Sequence, residues 1–133
     1  MLQGLNHITL AVSNLDKSFD FYVNILGFKA HAKWKEGAYL SIGDLWFCLN
    51  TDEVDFRGDY SHIAFDIKDE DYDKYVTFLL EKKVHLWKEN SSEGKSLYLL
   101  DPDLHKIEIH VGSLQSRLKS LKEEDFENLE YFI

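Results

Sequence analysis

The chain reads as an α+β protein built from two βαβββ modules. Three observations predict this. A weak internal repeat opens with "HITLAVSNLDKSFDFYVNILGFKA" at His7 and "HIAFDIKDEDYDKYVTFLLEKKVH" at His62, each running strand, turn, amphipathic helix. Three short strand-like runs follow each of the two helices. The 133 residues are 44% hydrophobic and 29% charged, which suits one globular domain or two half-domains sharing a core.

The elements follow in order. The first strand begins at His7. In the first helix Leu15, Phe19, Tyr22 and Leu26 share a face at helical spacing. Ser13 with Asp16 makes a capping box at its start, and Gly27 is a natural stop. The next strands are "FKAHAKW", "GAYLSI" and "DLWFCLN", with turns at Gly37, Gly43 and Asp44. In the second helix Asp69 is the expected N-cap and Tyr72, Val76, Leu79 and Leu80 the apolar stripe. Its strands are "VHLWK", "SLYLLD" and "HKIEIHV", the last two separated by the turn "DPDLH". Module one therefore covers about 4–50, a linker 51–60, module two about 61–112, and a short amphipathic helix with a tail 113–133. Each module alone is too small to bury a core comfortably. Two copies packing their sheets together, or an exchange with a second chain, would solve that.

Composition limits the functions. The formal charge of −9, from 15 basic and 24 acidic residues, argues against nucleic acid or an anionic membrane as partner. A small anionic substrate stays open, because a local cation or metal can outweigh the global field. No apolar run reaches the roughly 18 residues of a membrane span. The start lacks the features of a signal peptide. The single Cys48 rules out an intramolecular disulfide framework and fits a reducing cytoplasm.

His7 and His62 hold matched positions in the repeat, and repeat symmetry would bring them near one pseudo-two-fold axis. In "HKIEIHV", Ile107, Ile109 and Val111 share one face, so Glu108 and His110 fall on the other. Two histidines and a carboxylate meeting in a cavity suit a divalent metal with open positions. Cys48 stands where module two has Glu108; it either ligates or is a small buried residue. Thr9 shares a strand face with His7, so it reaches the same cavity or simply serves as a β-former. His31, His85, His105 and His110 gain no such support and read as surface or supporting residues. The segment "WKENSSEGKSLYLLDPD" is oxygen-rich. Asn90, Ser92, Glu93, Gly94 and Ser96 form either an ordinary solvated loop or a cage for a hard cation. Gly94 would let the chain turn so that carbonyls converge.

These residues resemble a known family. The paired modules with His7, His62 and Glu108 resemble the vicinal oxygen chelate superfamily. Within it, "GLNHITLAVSNLDKSFDFYVNILGF", "GAYLSIGDLWFCL", "DYSHIAF" and "WKENSSEGKSLYLLDPDLHKIEIHVGSLQSRL" resemble the fosfomycin-resistance glutathione transferases of the FosA type. The resemblance runs from about residue 2 to residue 118. It implies the vicinal oxygen chelate fold, paired or domain-swapped in a homodimer, and addition of glutathione to the epoxide of fosfomycin. It implies Mn(II) held by His7 of one subunit with His62 and Glu108 of its partner. It implies K+ in the loop of Asn90, Ser92, Glu93, Gly94 and Ser96. It also implies that Thr9, Lys88, Ser92, Tyr98 and Arg117 hold the phosphonate, that Tyr39 assists the thiol, and that Trp46 lines the pocket beside the substrate's methyl group.

A sister group that uses bacillithiol or cysteine carries Cys where this chain has Thr9. Three residues depart from the glutathione-using pattern. Glu36 stands for the common Gln, Asn50 for the common Ser, and Leu104 for the Gly of a "DPDGH" turn. The alternatives are an enzyme using another thiol or water, and a metal-free drug-binding module.

Overall fold

The computed structural model describes residues 1–90, 94–122, 124 and 126–132. Its elements run β1 (His7–Val12), α1 (Leu15–Asp20), β2 (Lys29–Lys33), β3 (Gly37–Ile42), β4 (Leu45–Thr51), β5 (Ile63–Asp66), α2 (Asp69–Glu81), β6 (His85–Lys88), β7 (Lys95–Leu100), β8 (Lys106–Val111) and α3 (Leu114–Leu121). They make two four-stranded sheets, ordered β1-β4-β3-β2 and β5-β8-β7-β6. In each module the first strand pairs parallel to the last, and the other pairings are antiparallel. The two orders match strand for strand, which is the α+β architecture of two βαβββ modules.

Strand alternation divides each sheet into two faces. On β1, Val12 is buried with Ile8 and Leu10 packed against the core, while His7 and Thr9 are exposed on the other face. The core faces of the two modules share one cluster. Tyr22, Phe28 and Phe47 of module one meet Phe65 of β5, with ring centroids 5.2 Å (Phe28–Phe65) and 6.0 Å (Phe47–Phe65) apart. Edge-to-face pairs of this kind add about 0.5–1.5 kcal/mol each beyond the area they bury.

A polar clamp joins the modules beside that cluster. The Tyr22 hydroxyl donates to Asp101 Oδ2 at 2.7 Å, inside the core. Burial, reinforced by the Asp101 carboxylate, raises the Tyr22 phenol well above its ordinary range. Burial likewise pushes the Asp101 carboxyl up, although three hydrogen bonds favour its charged form. The His105 ring lies 2.7 Å from the Ala11 carbonyl oxygen. Ser13 donates through N and Oγ to the Asp103 carboxylate, at 3.0 and 2.5 Å.

That last contact corrects one expected cap. Because Asp103 captures Ser13, the N-cap of α1 is Asn14, whose side chain accepts from Lys17 N. Asp16 pairs with Lys33 at 2.7 Å instead. After α1 the chain continues through a π-helical turn, Phe21–Ile25, in which Leu26 N donates to Phe21 O five residues back. The wider turn lets Phe21, Tyr22 and Leu26 all reach the core. Gly27, at φ +92°, ends it as expected.

In α2 the N-cap is Lys68, without a side-chain hydrogen bond, and Asp69 is the first helical residue. Asp69, Glu70 and Asp71 in the first turn still favour the positive helix end. Leu79 is buried, but Leu80 is exposed. Tyr75 takes the expected place of Leu80, its hydroxyl donating to Leu26 O at 2.6 Å.

Two predictions follow from this packing. Leu104 sits at φ +68°, where an L-residue is strained by roughly 1–2 kcal/mol. Its side chain is largely exposed, so Leu104→Gly sacrifices little packing. After the entropy glycine adds to the unfolded chain, the substitution should stabilise by about 0.5–1 kcal/mol, read from a denaturation midpoint. The second concerns Tyr75, whose phenol is pushed up to about 12 by burial. Its contribution to stability is complete below the ordinary tyrosine value of about 10 and is lost as pH rises through the folded value. Tyr75→Phe should therefore flatten the alkaline limb of a stability–pH curve; an unchanged limb would contradict the burial of that hydroxyl.

Candidate active site

The pairing registers define the site. On the face away from the core, Glu108 of β8 lies between Ala64 of β5 and Tyr98 of β7. In module one, Cys48 of β4 lies in the same way between Thr9 of β1 and Tyr39 of β3. Cys48 and Glu108 are therefore equivalent, and so are Tyr39 and Tyr98. Cys48 is buried.

His62 precedes β5, where the linker is tied down. Arg57 forks onto Asp59 at 3.1 and 2.6 Å, holding that carboxyl down at about 2. Asp59 Oδ1 also accepts from Ser61 N, and Lys106 Nζ donates to the carbonyl oxygens of Arg57 and Asp59. This geometry sets the Tyr60 carbonyl oxygen 2.8 Å from His62 Nδ1. A carbonyl can only accept, so Nδ1 carries the hydrogen. His62 Nε2 lies 3.0 Å from Glu108 Oε1. In the neutral imidazole that nitrogen is bare, so two lone-pair-bearing atoms face one another. A cation bound between them would relieve that repulsion.

The rest of the carboxylate is held from behind. Ser96 Oγ donates to Glu108 Oε2 at 2.6 Å and lies 2.6 Å from His110 Nδ1. Ser96 and Glu108 are both buried. An imidazole whose far N–H binds a backbone carbonyl, beside a carboxylate anchored through its other oxygen, is the usual support of a metal ligand pair. The donor set of imidazole nitrogen and carboxylate oxygen fits a divalent metal, Mn(II) included.

The pair opens into a cleft of about 460 Å³ that Lys88, Tyr98 and Arg117 also line. Lys88 Nζ donates to the Tyr60 hydroxyl at 2.5 Å and lies 4.7 and 4.9 Å from the ring centroids of Tyr60 and Tyr98. The Tyr60 hydroxyl is the main cause that raises the Lys88 ammonium's pKa. Arg117 is presented by α3, whose start is closed by a reciprocal Ser113–Ser116 capping box. Lys88 and Arg117 bring two positive charges to this cleft, in a chain of net charge −9.

The sequence-predicted residues thus separate into two groups. His62, Lys88, Tyr98, Glu108 and Arg117 share the cleft of module two. His7, Thr9, Tyr39 and Trp46 lie on the open face of module one. There the His7 ring stacks on Trp46 at 4.4 Å, Trp46 meets Tyr39 at 5.3 Å, and Tyr39 meets Trp34 at 4.8 Å. Among the described residues no three His, Cys, Asp or Glu side chains come together as a metal site. The intrachain meeting of His7 with His62 that the repeat suggested is not present. The reason is that the modules join through their core faces, leaving the two site faces apart.

In the oxygen-rich loop, Gly94 takes φ +73°, and Asn90 Nδ2 donates to its carbonyl oxygen at 3.1 Å. Ser92 and Glu93 lie outside the described residues. One supporting residue was missed in the sequence: Tyr60 acts on His62 through its backbone, which no side-chain pattern encodes. His110, expected as a surface or supporting residue, shares the alternation of Glu108 and lies beside Ser96.

Residues 4–109 match the model of the Glyoxalase/Bleomycin resistance protein/Dioxygenase superfamily. The glutathione transferase FosA of Serratia marcescens is 49% identical over 131 residues, 95% of this chain and 93% of that protein. The chain belongs to this superfamily, in its fosfomycin-resistance branch. The metallothiol transferase FosB of Staphylococcus epidermidis, in the same branch, is 38% identical over 92% of the chain and 94% of that protein. A variant of the fosfomycin resistance protein FosX from Listeria monocytogenes, solved with Mn(II) and 1S,2S-dihydroxypropylphosphonic acid, superposes with a TM-score of 0.83. It shares 34% identity and covers 91% of this chain and 99% of its own. The two βαβββ modules are the fold of this superfamily.

The facing lone pairs give a test. In metal-free protein, Glu108→Gln supplies an amide hydrogen to His62 Nε2 and still accepts from Ser96. It should raise stability by roughly 1 kcal/mol in a thermal melt with chelator, while weakening divalent-metal binding. With the melt run at alkaline pH, where an ordinary imidazole is neutral, a metal-free Gln variant less stable than wild type would contradict the facing lone pairs.

Proposed function

We propose that this chain inactivates fosfomycin by adding the thiol of glutathione to its epoxide, with Mn(II) and K+ as cofactors. The observation that carries the reading is the facing pair of His62 Nε2 and Glu108 Oε1, 3.0 Å apart in a cleft lined by Lys88 and Arg117. It couples a cation site to an anion receptor, as binding a phosphonate beside a metal requires. The relatives named glutathione transferase and metallothiol transferase, and the FosX complex with Mn(II) and a phosphonic acid, support it.

His62 and Glu108 would hold Mn(II) from one subunit of a homodimer and His7 would come from the other. The separation of the two site faces within one chain supports such sharing. Asn90, Ser92, Glu93, Gly94 and Ser96 would hold K+. The thiol co-substrate and the free Cys48 suit the cytoplasm.

Bound Mn(II) would supply a Lewis acid at the departing oxygen. The residues of the chain do the rest. Lys88 and Arg117 neutralise the phosphonate, and Thr9, Ser92 and Tyr98 orient it through hydroxyl groups. Trp46 packs against the substrate's methyl group. Tyr39 donates to the thiolate, which must be ionised to attack. Sulfur forms the new bond to carbon as the C–O bond breaks. The oxygen keeps the electron pair and takes a proton from water, leaving a hydroxyl beside the thioether.

A second reading is addition of water. The FosX variant is bound to a dihydroxypropylphosphonic acid, and Glu36 departs from the glutamine common in the glutathione users. Mass analysis of the product separates the two, because glutathione gives a thioether adduct and water a diol. The expected product is the adduct, formed with Mn(II) and lost on chelation. A diol as sole product overturns the glutathione reading, and equal rates with and without metal overturn the Lewis-acid role. Glu108→Ala should lose most of the activity together with metal affinity.

A further inference from the structure

We propose that His110 is a positioning residue for the site carboxylate, acting through Ser96. The Ser96 hydroxyl has one hydrogen, and both Glu108 Oε2 and His110 Nδ1 lie 2.6 Å from its oxygen. An ionised carboxylate can only accept, so the hydroxyl hydrogen goes to Glu108. The Ser96 oxygen must then accept from His110, which fixes the tautomer with hydrogen on Nδ1. The opposite tautomer would turn the hydroxyl hydrogen toward the ring and leave the carboxylate 2.6 Å from a bare oxygen lone pair.

His110 Nδ1 also lies 3.3 Å from Glu108 Oε2, so its hydrogen favours the same oxygen twice. The row is therefore directional. His110 donates to Ser96, and Ser96 donates to Oε2 of Glu108. Oε1 is left to face His62 Nε2, whose other nitrogen donates to Tyr60 O. Both ends of the row are anchored by tautomers, and the two bare atoms meet in the cleft.

The fold holds the ring in place. The β7–β8 register sets Ser96 directly opposite His110. Gly94 covers the ring edge closely enough that an added Cβ would lie 3.5 Å from His110 Cε1 and would run into the Val111 carbonyl oxygen. The Nδ1–H favours the Ser96 orientation that donates to Glu108, and so steadies the carboxylate toward His62.

The inference rests on the proposed metal role of His62 and Glu108. The test is Mn(II) binding to the full chain, followed by the electron paramagnetic resonance of free Mn(II), for wild type and for His110→Ala, His110→Gln and His110→Asn. An asparagine amide N–H falls near the place of Nδ1–H, and a glutamine amide near that of Nε2. His110→Ala and His110→Gln should weaken Mn(II) binding about 10- to 100-fold, and His110→Asn should restore most of it. Nitrogen-15 NMR of wild type should show the Nδ1–H tautomer at His110. If all three variants bind Mn(II) as wild type does, if Asn and Gln behave alike, or if His110 carries its hydrogen on Nε2, the positioning role is wrong while the metal site stands. A wild-type protein that takes up no Mn(II) overturns the proposed function, and the positioning role with it.

Discussion

The aromatic cluster of Tyr22, Phe28, Phe47 and Phe65 sets the geometry of the whole molecule. Each sheet has one apolar face, and a module of this size cannot bury that face alone. The cluster joins the two core faces, with Tyr22 bonded to Asp101 at its border. Once those faces are turned toward each other, the other face of each sheet has to look outward. Thr9, Tyr39 and Trp46 stand on one of these outer faces, and Tyr98 and Glu108 on the other.

This arrangement gives a single chain two separate outer faces built on one plan. The registers of β1, β3 and β4 repeat those of β5, β7 and β8, so each module builds the same frame. Module two fills it with an imidazole, a carboxylate and cations. Module one fills it with His7, Cys48 and a run of stacked aromatic rings. One half sets His62 and Glu108 beside Lys88 and Arg117, and the other offers a further imidazole and an apolar wall. The duplication is structural, while the chemistry is divided between the copies.

Polarity inside the module-two cleft is arranged by hydrogen count. Tyr60 O and Ser96 Oγ each settle one end of the His62–Glu108 pair, so the strongest acceptors converge at one point. The site pays for that order in the metal-free state, where two lone pairs meet. Supporting atoms of this kind explain why a carboxylate this deeply buried keeps its orientation.

The two modules, the strand alternation that puts Glu108 and His110 on one face, and the Gly27 and Gly94 turns were all legible in the sequence, because each follows from local periodicity or backbone freedom. So was membership of the superfamily. The tertiary structure alone decided which groups share their hydrogens. Ser13 turned to Asp103, 90 residues away, and gave up the helix cap to Asn14. Tyr75 replaced Leu80 on the buried side of α2 because Leu26 O lay within reach, 49 residues off. Ser96 linked His110 to Glu108 across a strand pair, and the two site faces stayed apart within one chain. These outcomes depend on directional contacts between residues far apart along the chain, and such contacts leave no period in the sequence to read.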